Sequence, residues 1–120
     1  MDKLQALYNF WAGFGIPAYE QNAIPSDAQF PYITYEAAVS DFGNDVPLTG
    51  NVWYKGTSWV NATQKQAEIG QKIGRGGIMI PYDGGAMWIR KASTFAQPMG
   101  DEENDLIKRY VLQVVIEFMD

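Results

Sequence analysis

The chain has 120 residues, 47% of them apolar and 19% charged, a balance that suits a packed core and excludes an intrinsically disordered chain. A net charge of −5 and a pI near 4.6 exclude a dedicated nucleic-acid binder, because such binding draws on basic side chains that displace counterions from phosphates. Cysteine and histidine are both missing, which removes disulfides, thiolate chemistry and the usual proton shuttle near neutral pH.

From the start of the chain, Leu4, Leu7, Tyr8, Trp11 and Phe14 step by three and four, so they lie on one stripe of an amphipathic helix over about residues 3–13. Gly13 and Gly15 stop it. Pro17 cannot continue a helix and biases Ile16 to extended backbone, which predicts a short strand over 16–19. After a loop containing Pro25, Ser26 and Asp27, residues 30–39 are rich in aromatic and β-branched side chains and predict a strand. The turn formers of 41–47 lead into a further strand over 48–55, with Val52, Trp53 and Tyr54, and the two strands suit a hairpin.

Ser58 is placed to cap a second helix whose inward stripe would be Trp59, Ala62, Gln66, Ile69 and Ile73, ending near Gly74. The glycosylation triplet Asn61-Ala62-Thr63 falls inside that helix start and is read as part of it. Residues 77–82 and 86–91 predict a hairpin about the turn Asp83-Gly84-Gly85. Residues 93–99 suit a short separate strand with Pro98 near an end or edge, followed by an acidic turn over 100–105. In the last run, Tyr110, Leu112, Val114, Ile116 and Phe118 alternate with Arg109, Val111, Gln113, Val115 and Glu117, which predicts a long strand with one apolar face.

The expected architecture is α+β: a mostly antiparallel twisted sheet of four to six strands with two amphipathic helices packed on one face, leaving the other face or the edges free. The length suits a single domain over 1–120. No window approaches the about 18 consecutive apolar residues of a membrane span. The start Met1-Asp2-Lys3-Leu4 has neither the basic flank nor the apolar run of a secretory signal, so a cytoplasmic chain with no membrane partner is expected.

Candidate chemistry is sparse. Glu36, Asp41, Asp45 and Asp83 show no spacing that dictates a metal cage or catalytic pair, and they read as turn and surface groups. Ser58 and Ser93 lie in no nucleophile elbow and have no histidine to activate them. The run Gly74-Arg75-Gly76-Gly77 leaves a helix and enters a strand, the reverse of a phosphate-cradling loop, so it reads as a helix cap and turn. Neither a cofactor nor a catalytic residue is assigned. Trp53, Trp59, Trp88 and Tyr110 are candidate stacking platforms, but core packing and subunit contact weigh above ligand binding for them.

The segment from Ile24 to Glu36, which includes Phe30-Pro31-Tyr32-Ile33, read with the helix before it, resembles the small tail-terminator or tail-completion proteins of tailed phages and prophages. The order of an N-terminal helix, that strand, an aromatic strand after a loop, a helix led by Thr57-Ser58-Trp59 and a long C-terminal strand extends the resemblance over most of the chain. It implies a non-enzymatic structural subunit of virion assembly, closing into a homo-oligomeric, hexameric ring that caps the tail tube and joins it to the head connector. DNA would pass nearby without specific binding, and the chain would move from the host bacterial cytoplasm to the virion neck or tail. Partner contacts are then expected at the loops and exposed aromatics: Asp41, Phe42, Asn44 and Asp45, Trp53 and Tyr54, Gly84 and Gly85, and Trp88. Two alternatives stand beside it: another neck or minor capsid protein, which shares every compositional argument, and a small ligand-binding or carboxylate-dependent enzyme domain, which requires a deep pocket gathering Glu36, Asp41, Asp45 or Asp83.

Overall fold

The structure, a computed structural model, describes residues 1–40 and 43–120. In chain order it contains α1 (Lys3–Ala12), β1 (Ala18–Glu20), β2 (Tyr32–Tyr35), β3 (Asp45–Lys55), α2 (Val60–Ile73), β4 (Ile78–Tyr82), β5 (Gly85–Gly100) and β6 (Ile107–Met119). The strands form one six-stranded sheet in the order β1-β2-β3-β6-β5-β4. Among the described residues only β1 and β2 run parallel, and the other pairs are antiparallel. This is the α+β layer expected from the sequence.

The local reasons for α1 are direct. Asp2 caps it by accepting the Gln5 N–H at 2.8 Å, and the helix stops at Gly13, whose N–H returns to the carbonyl of Phe10. Its buried side differs from the expected stripe: Ala6, Leu7, Phe10 and Trp11 are buried, whereas Leu4 and Tyr8 are 52% and 42% exposed. The aromatic residues set the rotation. Phe10 meets Trp11 and Phe14 edge to face at 5.0 and 5.5 Å, and Trp11 stacks on Tyr35 of β2 at 6.1 Å, which turns the Leu4–Tyr8 flank outward. Gly50 makes room for this, because a Cβ there would stand 2.5 Å from the Trp11 ring.

β2 is shorter than the strand expected over 30–39. Beyond Tyr35 the Glu36 N–H still donates to the Thr49 carbonyl at 2.9 Å, but the Thr49 N–H turns to the Glu36 carboxylate at 2.6 Å, so a side chain takes one of the two bonds of the next backbone pair. Its pairing with β3 forms the expected hairpin. At α2 the cap position falls on Trp59, one residue after the expected Ser58, although the Ser58 hydroxyl still accepts the Val60 N–H at 3.1 Å. The buried residues of α2 are Ala62, Ile69, Gly70 and Ile73, and Gln66 is only half-buried.

The expected strands over 86–91 and 93–99 are one strand, β5. Between Lys91 and Ala96 it takes five residue steps while β6 moves two, from Val114 to Leu112, so an irregularity absorbs the excess and pairing with β6 resumes. Pro98 sits where β5 extends past β4, whose pairing ends at Ile78 opposite Ile89, so its missing donor falls on an open stretch of edge. Along β6 the predicted alternation holds: Leu112, Val114, Ile116 and Phe118 are buried, and Tyr110 packs against the same core. Leu48 and Val52 of β3, and Met87 and Ile89 of β5, face the same way, and both helices cover this side.

Candidate functional site

Strand alternation leaves the opposite face of the sheet without a helix. Because the register is fixed, residues that share this face can be placed by parity. One cross-strand row runs Tyr32–Trp53–Arg109–Met99 across β2, β3, β6 and β5. Its side chains touch in sequence. Tyr32 and Trp53 stack at 6.2 Å and 22°, and the Arg109 guanidinium lies 5.0 Å from the Trp53 ring. Trp53 donates from Nε1 to the Thr34 hydroxyl at 2.9 Å, which fixes the indole. Tyr19 and Phe30 extend the row by approaching Tyr32 at 5.9 and 5.2 Å. Burial among these rings raises the Tyr32 pKa, with a smaller contribution from Tyr19.

A second cluster occupies the other end of the same face. Asp45, Glu117 and Trp88 form a cross-strand row over β3, β6 and β5. Arg90 lies 4.2 Å from the Trp88 ring and pairs with Asp45 at 2.8 Å and Glu117 at 3.9 Å. The Trp88 indole N–H reaches the carbonyl of Gly76 at 2.9 Å. Gly77 lets the backbone approach: its φ is +86°, and a Cβ would stand 2.5 Å from Trp88 Nε1.

The residues expected at partner contacts are thus divided. Asn44, Asp45, Gly85 and Trp88 gather toward one end of the sheet, with Gly84 in the adjoining turn at φ +91°. Trp53 lies eight residues further along β3, about 27 Å away at the usual strand rise. Tyr54, its chain neighbour, points to the helix side and packs against the core, so it does not share a face with Trp53 and Trp88. Gly85 abuts the backbone of Met119, which a side chain there would strike. Asp41 and Phe42 lie outside the described residues. Trp59 and Tyr110 meet edge to face at 5.7 Å at the start of α2, on the helix side, where the Thr63 and Tyr110 hydroxyls are 2.9 Å apart.

Sequence reasoning missed Arg109, Arg90, Tyr32 and Met99 as members of this surface. A signal existed for Arg109, since it falls on the odd positions opposite the apolar set of β6; pairing it with Trp53 required the register. Of the carboxylates offered as an alternative site, the three among the described residues, Glu36, Asp45 and Asp83, do not converge. Glu36 closes the β2–β3 ladder, Asp45 pairs with Arg90, and Asp83 pairs with the amino group of Met1. Among the described residues no three His, Cys, Asp or Glu side chains group as metal ligands, and no helix is long and apolar enough to cross a membrane.

Neither a protein-family model nor a curated protein matches the sequence. A solved chain superposes with a TM-score of 0.64 at 15% identity, over 97% of this chain and 89% of its own length. The fold is shared. At that identity the likeness extends to the arrangement of helices and strands.

Proposed function

We propose that the chain is a non-enzymatic virion assembly subunit of a phage or prophage, one that forms a closed ring, caps the tail tube and joins it to the head connector. The observation that carries this reading is the two-sided sheet: one face is filled by α1 and α2, while the other displays aromatic and guanidinium groups across adjacent strands. Aromatic residues and arginine are the side chains most enriched where proteins meet. A ring repeats one heterologous contact around an axis, and that contact needs adhesive surface rather than a group that moves protons. The acidic balance of the chain suits a lumen through which DNA passes without being gripped. The layout of helices and strands that resembles the tail-terminator family supports the same reading.

Electron microscopy of particles made without the gene tests this directly. Overlong tails are expected if the subunit ends tube growth. Headed, leaking capsids would instead identify a head-completion protein of the neck, and particles of normal form would contradict both.

A further inference from the structure

We propose that the cavity beside Trp53 and Arg109 on the uncovered face seats a carboxylate side chain presented by a peptide segment of a partner protein. The inference rests on reading that face as an assembly surface and adds the chemistry of one contact. Arg109 stands between its direct cross-strand partners Trp53 and Met99. Its guanidinium lies over the indole, and its Nη2 donates to the Met99 thioether at 3.4 Å, a weak acceptor. Among the described residues no carboxylate comes within ion-pair distance of it, whereas Arg90, at the far end of the same face, is held by Asp45 and Glu117. A guanidinium offers five donors in a planar fork that matches a carboxylate, so Arg109 has capacity that its own chain does not use.

The space beside it is a cavity of about 150 Å³ lined by Trp53, Met99, Gly100, Asp101, Ile107 and Arg109, the scale of one side chain. Beyond Trp53 the rings of Tyr32 and Phe30 continue the surface. Apolar neighbours of an incoming glutamate would cover those rings, and a small free acid has nothing to place there. This favours a peptide segment as the occupant. Asp101 opposes the arrangement, since it carries like charge at the rim. Its Oδ1 already accepts the N–H groups of Glu103 and Asn104 at 2.8 and 3.1 Å, which stabilises the charge within the turn without cancelling it.

The test is a titration of the whole chain, followed by NMR at the Trp53 indole and Arg109 guanidinium resonances, with three probes: acetyl-Leu-Glu-Leu-amide, its Gln counterpart and sodium acetate. The Glu peptide should saturate both resonances and bind about tenfold or more tightly than the Gln peptide, the scale of a charge-assisted hydrogen-bond pair. It should also bind more tightly than acetate. Arg109→Gln should abolish the preference for Glu over Gln with the spectrum otherwise retained, Arg109→Lys should leave a reduced preference, and Asp101→Asn should tighten Glu binding. Equal affinity for the Glu and Gln peptides, acetate binding as well as the peptide, or shifts confined to other residues would each overturn the proposal. The readout is peptide affinity, so failure of the chain to form rings bears on the assembly reading alone.

Discussion

At Gly50 the absence of a side chain lets a tryptophan lie against the sheet. Trp11 is 1% exposed and its ring fills the volume that a Cβ at Gly50 would enter. The neighbouring atoms belong to a rigid ring packed on Tyr35, so relief requires α1 to move. Gly50→Ala should therefore cost about 1–3 kcal/mol, the usual range for overpacking a core, read as a lower midpoint in urea; an unchanged midpoint would contradict this packing. Tyr35 offers a pH test at the same scale. Desolvation first, then the charges of Glu20 and Tyr8, raise its pKa above the ordinary value. The native state then holds this proton more tightly than the unfolded chain does. Its contribution to stability is complete below a pH of about 10 and is lost as pH climbs through the raised native value. Tyr35→Phe should shift alkaline unfolding to higher pH relative to its stability at neutral pH; coincident transitions after that correction would argue against the shift.

At the scale of elements, capping and glycine conformation place the boundaries. Asp2 satisfies a free N–H at the start of α1, and Asp2→Ala should cost about 1 kcal/mol, measured by chemical denaturation; no change would mean that the cap is not formed in solution. Gly77 combines positive φ with contact against Trp88, Ile89 and Arg90. Gly77→Ala should be more damaging than the loss of the cap, because backbone strain and steric overlap act together; equal or smaller destabilisation would contradict that. The long period-two run of β6 was legible in the sequence because alternation over that length suits no helix. The burial side of α1 was less so. Leu4 and Tyr8 satisfy the helical period as well as Ala6 and Phe10 do, and only packing against Tyr35 and Gly50 selects between them. The fusion of two expected strands into β5 was equally hidden, since the shift between Lys91 and Ala96 is resolved by pairing with β6.

At the scale of the molecule, the sequence pointed to two helices on one face of a mainly antiparallel sheet, and the structure has that form. The candidate surface was legible only in pieces. Trp53 and Trp88 stood out by residue type, but which face they share, and which arginine each one meets, depends on a register spanning most of the chain. Val111 lies on the uncovered side between Asn51 and Gln97, close to the middle of the sheet. The assembly account makes that region the part of the subunit that a neighbour covers. The most direct test is sedimentation velocity on the parent chain and on Val111→Glu, each alone and with tail tubes. Ring-sized particles are expected from the parent, with Val111→Glu keeping its fold by circular dichroism but sedimenting as a monomer. A parent chain that stays monomeric in the presence of tubes, or a Val111→Glu chain that assembles as readily as the parent, would contradict the account.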